Sequence, residues 1–370
     1  MGFKCGIVGL PNVGKSTLFN ALTNSSKAQA ENFPFCTIEP NLGLVPVVDQ
    51  RLDNLTKVSN SKKKIYTTIS FVDIAGLVEG ASKGEGLGNK FLSHIREVDA
   101  IIHMIRCFDS DDIQNVNSSV DPVRDLEIIQ TEMKLADLES IQKRLDKKNK
   151  KNISNEQIQI LEIALDYINN DKNISEIHNI YEKKEIEISG LLSLKPNLFV
   201  CNVDEESIVK GNQYTKKFIE KYGDENTLVI SAEIENQLNS LNDKEKNNYM
   251  DMLGIKEAGI KTLTKKGYNL LNLETFFTSG PEESRAWTIN KYCLAPKAAG
   301  KIHTDFEKGF IKVETISYDD FINNNGWLNS KNNGKMRLEG KEYVIKDGDV
   351  LNFRFNTWPY FFHCKIYKYR

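Results

Sequence analysis

The sequence lacks any apolar stretch long enough to cross a membrane. The longest apolar runs, such as residues 100–105, have the length of a core strand, whereas a membrane-spanning helix needs about 20 apolar residues. A strand-like pattern begins at Phe3 without a basic and apolar leader before it, which predicts that there is no signal peptide. We therefore expect a cytoplasmic protein with no membrane partner.

A large excess of charge of one sign is also missing. The 370 residues include 49 Lys and Arg against 51 Asp and Glu, which leaves a net charge of −2. This balance excludes a wholly basic nucleic-acid coat, so any contact with a polyanion must come from a local patch. The hydrophobic fraction of 40% is typical of globular proteins, and the length predicts two or three domains.

Metal-binding spacings are absent from the sequence as well. The six cysteines lie far apart without a CxxC pair, and the five histidines contain no HxxxH motif. These patterns argue against a structural zinc site and favour reduced cysteines in a cytosolic protein.

The first 110 residues alternate short apolar runs with helical patterns. Strands that alternate with helices predict a mainly parallel sheet covered by helices, which is the α/β class. The predicted helices begin at Lys15 and at Leu87. The predicted strands cover residues 3–8, 42–48, 65–72 and 100–107.

A helical period replaces this pattern between residues 121 and 195. The apolar residues of its two stripes are Leu126, Ile129, Met133 and Ala136, then Ile158, Leu161, Leu165 and Ile168. Residues 143–151, between the stripes, include six basic residues and one acidic residue. We predict two long helices joined by a basic tip, an antiparallel helical hairpin of the coiled-coil type. Strand patterns return at residues 197–201 and 227–230, so the hairpin is an insertion.

Mostly strand-like patterns follow Gly280-Pro281. We predict a helix at residues 296–302 and a hairpin turn at Asp347-Gly348 that joins the last two strands. The predicted strands cover residues 286–289, 310–316, 343–345 and 350–355. The expected domains are an α/β domain at 1–122 and 196–280, the hairpin at 123–195, and an α+β domain with a tail at 281–370.

Residues 9–16 match the phosphate-binding pattern GxxxxGK[ST], between a predicted strand and a predicted helix. Phosphates need main-chain N–H groups at a helix N-terminus, glycines that allow close approach, a lysine that reaches the outer phosphates and a hydroxyl group on Mg²⁺. Lys15 and Ser16 supply the last two groups. The predicted nucleotide-binding residues of this loop are Asn12, Val13, Gly14, Lys15, Ser16 and Thr17.

Asp73-Ile74-Ala75-Gly76 follows a predicted strand, where P-loop proteins place an acidic residue near Mg²⁺. We predict that Asp73 holds Mg²⁺ through water and that Asp73 and Gly76 sense the γ-phosphate. Thr37 lies in a loop-like segment and is a further expected Mg²⁺ ligand, since loop hydroxyl groups do this in GTPase-type folds. Leu77 replaces the glutamine that orients water in Ras-type enzymes, so unassisted hydrolysis should be slow. Lys15, Asp73, Gly76 and Leu77 are the expected catalytic positions.

The strand at residues 197–201 ends in Asn202-Val203-Asp204-Glu205, where guanine-binding proteins have Asn-Lys-x-Asp. That aspartate accepts two N–H donors of guanine, whereas adenine offers an amine beside a ring acceptor. Asn202 can bridge these adenine groups, as Asn does in general, so Asn202, Val203 and Glu205 predict an adenine site. The alternative is a solvated acidic loop in which Asp204 reaches guanine in a shifted register. The other residues expected to face the nucleotide are Ser231 and Ala232.

With these residues assembled, the chain resembles the YchF/Obg-like ATPase family of P-loop proteins over residues 1–356. The matching N-terminal segments are residues 12–20, 32–37, 73–78 and 84–89. The matching C-terminal segments are residues 285–289, 302–310 and 346–350, and they resemble a TGS domain, a ubiquitin-like β-grasp.

The resemblance implies a preference for ATP, dependence on Mg²⁺ and association with the ribosome. Asn12 resembles the P-loop asparagine of potassium-activated relatives, so K⁺ is an expected second ion. Family members often carry a histidine, linked to hydrolysis, where this chain has Asn115. An aromatic tail at residues 357–370 continues beyond the family pattern.

The sequence thus predicts a P-loop ATPase that acts as a nucleotide-dependent switch in translation. Residues 143–151 carry a charge of +5 and residues 281–370 a charge of +4, which predicts that the hairpin tip and the TGS-like domain contact the ribosome, as the large subunit or the whole particle, or RNA. Two rival hypotheses remain. One is a GTPase of the same fold, and the other is a nucleotide-gated binding protein or chaperone-like regulator whose hydrolysis is incidental.

Overall fold

The computed structural model describes residues 3–27, 41–75, 87–110, 119–146 and 153–356. The chain forms two compact units, which are Met1–Val45 with Ile69–Leu271, and Pro46–Thr68 with Asn272–Arg370. No helix in these described ranges has both the length and the apolar character to cross a membrane.

The elements of the first half of the chain are β1 (Lys4–Val8), α1 (Lys15–Lys27), β2 (Leu42–Val47), α2 (Gln50–Val58), β3 (Lys63–Ile65), β4 (Thr67–Asp73), α3 (Leu87–Arg96), β5 (Ala100–Arg106), α4 (Pro122–Leu145), α5 (Asn155–Asn169), α6 (Lys183–Ser189) and β6 (Asn197–Asn202). Those of the second half are α7 (Gln213–Tyr222), β7 (Thr227–Ile230), α8 (Ala232–Leu238), α9 (Asp243–Leu253), α10 (Gly259–Leu270), β8 (Leu273–Ser279), β9 (Glu283–Asn290), α11 (Ala295–Ile302), α12 (Thr304–Lys308), β10 (Phe310–Ile316), α13 (Tyr318–Asn323), α14 (Trp327–Asn332), β11 (Arg337–Glu339) and β12 (Val350–Phe355).

The first unit is built on a sheet with the strand order β2-β4-β1-β5-β6-β7 in the described part of the chain. The neighbours from β4 to β7 are parallel, as the sequence predicted. Every residue of β5 is buried, as expected for a central strand that is covered on both faces. The carboxyl ends of β1, β4, β5 and β6 therefore meet at one edge of the sheet, where α/β folds bind ligands.

The inserted helices α4 and α5 pack through a cluster that includes Ile141, Leu161 and Ala164. The first predicted stripe is buried along α4, which confirms the helical period. Asp137, almost fully buried, accepts hydrogen bonds from the main-chain N atoms of Leu192 at 2.9 Å and Ser193 at 2.8 Å. This carboxylate therefore connects the middle of α4 to the turn that leads into β6.

The second unit contains a sheet with the order β11-β10-β12-β8-β9-β3 among its described residues. Consecutive strand residues point to opposite faces, so Phe276 and Phe277 of β8 lie in different clusters. Phe276 packs with Ala298 of α11, and Phe277 packs with Leu52 of α2. Helices thus cover both faces. The sequence did not predict α2, and it predicted only Ile65 of β3. Both elements belong to this unit, because α2 packs into its core and β3 pairs with β9.

Arg51 attaches α2 to the C-terminal part of this unit. Its guanidinium group pairs with Asp49 at 2.8 Å and with Asp347 at 2.6 Å. Asp347 also accepts a hydrogen bond from the Thr275 main-chain N atom at 2.9 Å. Burial, the largest single effect, lowers the pKa of Arg51. Hydrogen bonds and charge attraction from the two carboxylates together outweigh it, so the pKa is raised.

The predicted strand at residues 343–345, and the hairpin that would join it to β12, are wrong. Val344 makes only an isolated bridge with Leu294, and β12 pairs antiparallel with β10 and parallel with β8. Asp349 Oδ2 accepts hydrogen bonds from Tyr343 Oη at 2.8 Å and from the Lys346 main-chain N atom at 2.9 Å. These bonds fold the segment into a turn.

Two boundaries also differ from the expectations. The predicted strand at residues 65–72 is divided at Tyr66 into β3 and β4, which belong to different sheets. The second unit begins at Asn272 and not at 281, and it includes Pro46–Thr68. The physical reason is that β8 pairs with β9 over its full length, from Leu273 to Ser279.

Candidate nucleotide-binding site

The glycine-rich turn lies between β1 and α1, at the carboxyl edge of the first sheet. Gly14 has φ +93°, and a Cβ atom there would overlap the side-chain amide of Asn202. A Cβ atom at Gly9 would lie 2.6 Å from the Met104 carbonyl oxygen. Glycine is therefore required at both positions, by backbone conformation at the first and by close approach at both. The Leu18 main-chain N atom donates to the Gly14 carbonyl at 3.0 Å, so the helix begins directly after the turn.

Lys15 and Asp73 meet beside this turn, although 58 residues separate them. Lys15 Nζ lies 2.6 Å from Asp73 Oδ1 and 2.7 Å from the Ile74 carbonyl oxygen. The side chains are 11% and 17% exposed. The structure thus brings together the cation predicted for the phosphates and the carboxylate predicted for Mg²⁺, and it neutralises one with the other.

Asn202 at the end of β6 connects two nucleotide-facing loops. Its Nδ2 atom donates to the Val13 carbonyl at 2.9 Å, and its Oδ1 atom accepts from the Ala232 main-chain N atom at 2.9 Å. The residue is only 5% exposed. These bonds use both polar atoms that the sequence assigned to adenine, so Asn202 positions the loops, and one amide hydrogen and one lone pair remain for a ligand.

The other predicted base-loop residues have three different environments. Val203 is buried in a cluster with Cys107, Leu126 and Phe218, so only its main chain can face a ligand. Glu205 is exposed. Ser231 is buried and forms the N-cap of α8, where its hydroxyl group accepts from the Ile234 N atom at 3.5 Å.

Oxygen atoms are the available ligands for a divalent cation at this site. Ser16 is exposed in the first turn of α1, and Asp73 ends β4. Mg²⁺ prefers such oxygen ligands together with substrate phosphates and water. Among the described residues there is no cluster of three or more His, Cys, Asp or Glu side chains that could hold a metal alone. These oxygen atoms therefore fit a Mg²⁺ ion that is shared with a nucleotide.

The remaining predicted residues lie partly inside and partly outside the described ranges. Asn12 lies in the glycine-rich turn, where it is exposed and has φ +63°, and Thr17 is half-buried in the first turn of α1. Positions that fall outside the described residues are Thr37, Gly76, Leu77 and Asn115.

Sequence reasoning missed two residues that hold the loops in place. Asn212 caps α7, and its Nδ2 atom donates to the Cys107 carbonyl at 2.7 Å, which ties the end of β5 to the base loop. Its position before a helical run is an N-cap signal that could have identified it. Glu235 accepts hydrogen bonds from the main-chain N atoms of Gly259 and Ile260 at 2.6 and 3.2 Å. Burial raises the pKa of Glu235, and its effect is larger than the lowering by these two bonds. No local signal marks that long-range cap.

A buried parallel strand, a glycine-rich turn, a helix that starts with Lys15 and an acidic residue on the adjacent strand define a P-loop nucleotide-binding domain. Residues 4–131 match a family model described as 50S ribosome-binding GTPase. Residues 273–356 match the model YchF-GTPase_C, described as a protein of unknown function.

Relatives of the whole chain identify the family. A protein of Escherichia coli O157:H7, called ribosome-binding ATPase YchF, is 48% identical over 365 residues, which cover 96% of this chain and 100% of that protein. A Bacillus subtilis protein of the same name is 46% identical over 367 residues, with the same coverage. The solved structure of the Schizosaccharomyces pombe YchF GTPase is 36% identical, has a TM-score of 0.84 and covers 95% of this chain and 98% of that one. The chain belongs to the YchF family.

Proposed function

We propose that this protein binds and slowly hydrolyses ATP and that its nucleotide state controls association with the ribosome. The observation that carries this proposal is the Lys15–Asp73 pair beside the glycine-rich turn, because it places a phosphate ligand and a cation ligand together. Relatives named ribosome-binding ATPase support the assignment. The described cysteines, including the buried Cys5, Cys107 and Cys201, are free thiols, which supports a cytoplasmic location.

The P-loop main chain and Lys15 would bind the phosphates, and Ser16, Asp73 and Thr37 would hold Mg²⁺, with Asp73 acting through water. Bound Mg²⁺ would neutralise the charge that develops on the phosphates. Gly76 would sense the γ-phosphate, and Leu77 would leave the attacking water without a glutamine. The support for Ser16 is its position beside Lys15 in the first turn of α1, and the support for Asp73 is its ion pair with Lys15 at the end of β4.

We propose a preference for ATP because the base loop lacks the groups that bind guanine. Val203 stands where guanine-binding proteins have lysine, and its side chain is buried. Glu205 stands where they have aspartate, and Asn202 is held by two main-chain bonds. A site that pairs one base edge leaves polar groups unpaired with the other base.

Titration of the full chain with ATP and with GTP tests this preference. We expect ATP to bind at least about tenfold more tightly, which corresponds to about 1.4 kcal/mol. Asn202→Ala should weaken ATP binding, because the loops at Val13 and Ala232 lose their shared anchor. Val203→Lys combined with Glu205→Asp should strengthen GTP binding. Equal or tighter binding of GTP to the unmutated chain would favour the GTPase hypothesis instead.

We also propose that K⁺ assists hydrolysis through Asn12. Asn12 lies in the turn two residues before Gly14 and has φ +63°. A cation bound beside Asn12 would supply positive charge where an arginine finger would otherwise act. Turnover should be faster in potassium than in sodium, and Asn12→Ala should remove the difference. If turnover is equal in both salts and Asn12→Ala changes neither rate, a potassium mechanism is excluded. Turnover with and without ribosomes separates a switch from a regulator with incidental hydrolysis.

For the ribosome, we propose that the hairpin tip and the C-terminal unit provide the contacts, with RNA as a candidate surface. Residues 147–151 of the tip lie outside the described residues. Arg144, predicted as part of the basic tip, is half-buried and donates to the Ser189 carbonyl at the end of α6 at 2.5 Å. Its side chain is therefore engaged within the inserted segment. Coupling to the nucleotide is supported by Asp137, which links α4 to the turn before β6.

Co-sedimentation with ribosomes and a non-hydrolysable ATP analogue tests these contacts. The variant with Lys147, Lys148, Lys150 and Lys151 changed to Glu should pellet less, and its residual binding should fall further with salt, because phosphate contacts release counterions. Unchanged pelleting of this variant would remove the tip from the interface. No pelleting of the unmutated chain would remove the ribosome from the proposal.

A further inference from the structure

Helix α9 lies beside the turn that follows the base loop, and both of its ends are capped. The Asn242 side chain accepts from the main-chain N atoms of Lys244 and Glu245, and the Glu245 carboxylate accepts from the Asn242 N atom. Gly254, with φ +73°, ends the helix in a left-handed cap. None of the residues of α9 is buried. Tyr249 Oη of α9 donates to Gln237 Oε1 of α8 at 2.7 Å. Tyr249, Met250 and Leu253 are half-buried, whereas Met252 is exposed.

Met252 and Leu253, at the end of α9, border a groove of about 900 Å³. The opposite wall is the turn at residues 204–210, which continues directly from the base loop. Met252 of α9 is 73% exposed and Val209 of the turn is 58% exposed, and both line the groove with Ile208 and Leu253. Single exposed apolar residues are ordinary, but these two line the same groove and give it an apolar part.

The groove is acidic along the turn at residues 204–210. Its lining includes three carboxylates, Asp204, Glu205 and Glu206, against one basic side chain, Lys210. Asp204 Oδ1 accepts a hydrogen bond from the Ser207 main-chain N atom at 2.9 Å, so the carboxylate position is fixed. The carboxylate of Glu206 is exposed, and no other described residue forms a hydrogen bond or an ion pair with it.

We infer that this groove binds a basic segment of another protein, with an apolar side chain of that segment between Val209 and Met252. Charge complementarity selects this occupant, because carboxylates attract lysine and arginine and give specificity at an interface. The same carboxylates repel the phosphates of nucleic acids and of acidic lipids. An apolar anchor in a pocket supplies the affinity. The groove shares Glu205 with the proposed base loop, but the test changes Glu206 and Met252, so the inference can fail while the nucleotide and ribosome proposals stand.

Fluorescence anisotropy of the full chain with labelled peptides tests the inference. The probes are an amphipathic Lys/Leu peptide and a Glu/Leu peptide of identical pattern. The unmutated chain should bind the first and not the second. The double variant Glu206→Lys, Met252→Ser should bind the Lys/Leu peptide at least about tenfold more weakly. Both residues are exposed, so the variant should fold, and its thermal unfolding provides the check.

The matched control is Glu342→Lys, which makes the same charge change at an exposed position of the second unit. It should leave peptide binding unchanged. Equal weakening by Glu342→Lys, or equal binding of both peptides, would mean general charge attraction and would overturn the inference. It would also be overturned if sedimentation showed self-association that Met252→Ser abolishes, which would assign the groove to a second copy. Single-stranded RNA binding that Glu206→Lys, Met252→Ser removes would likewise overturn it.

Discussion

Replacing Asp73 by asparagine should strengthen the binding of ATP when Mg²⁺ is absent. Lys15 Nζ lies 2.6 Å from Asp73 Oδ1, and the two side chains are only 11% and 17% exposed. A phosphate group must draw Lys15 away from this carboxylate before it can take the same ammonium group. A hydrogen bond to a charged group contributes about 1.5–3 kcal/mol net, so the competition lowers the affinity for ATP by about 10- to 150-fold.

Isothermal titration calorimetry in EDTA measures this effect directly. Asp73→Asn should gain about tenfold or more in affinity for ATP without Mg²⁺, and it should lose most of the gain in affinity that the unmutated chain shows when Mg²⁺ is added. Asp166→Asn is the matched control. Asp166 of α5 pairs with Lys172 at 2.7 Å and lies away from the glycine-rich turn. If Asp73→Asn binds ATP no better than the unmutated chain in EDTA, the pair does not compete with phosphate and the reasoning fails.

Two further predictions concern His103 and Gly14. Burial lowers the pKa of His103 from 6.5 to about 4. Between these two pH values the imidazole is protonated in the unfolded chain and neutral in the folded chain. The free energy of unfolding therefore falls as the pH drops from 6.5 to about 4. His103→Leu should remove about 3 kcal/mol of that fall in urea unfolding, and an unchanged pH dependence would refute it. Gly14→Ala should abolish ATP binding in the same titration, because its Cβ atom displaces the Asn202 amide. Gly190→Ala, with φ +64° but open space, is the control. It should cost only backbone strain of about 1–2 kcal/mol, and intact ATP binding by Gly14→Ala would contradict the prediction.

Local patterns in the sequence determined strands of both sheets and the start of the helix after the phosphate loop. The strands Thr227–Ile230, Phe310–Ile316 and Val350–Phe355 have the predicted ends, and α1 begins at Lys15 as predicted. The physical reason is that burial alternates with the period of a strand or a helix, and glycine marks where the backbone must turn. The same logic failed at residues 343–345, where one buried carboxylate, Asp349, overrides strand propensity with a turn.

Only the tertiary structure decided which distant residues meet. It paired Lys15 with Asp73, tied Asn202 to Val13 and Ala232, and joined α2 to the second unit through Arg51 and Asp347. The sequence marked Asn202 as a base ligand because its residue type suits adenine, but it did not reveal that each of its polar atoms also bonds a main-chain group far along the chain. Such contacts depend on the complementary surfaces of packed elements, and no periodicity within a segment records which surface will lie against it.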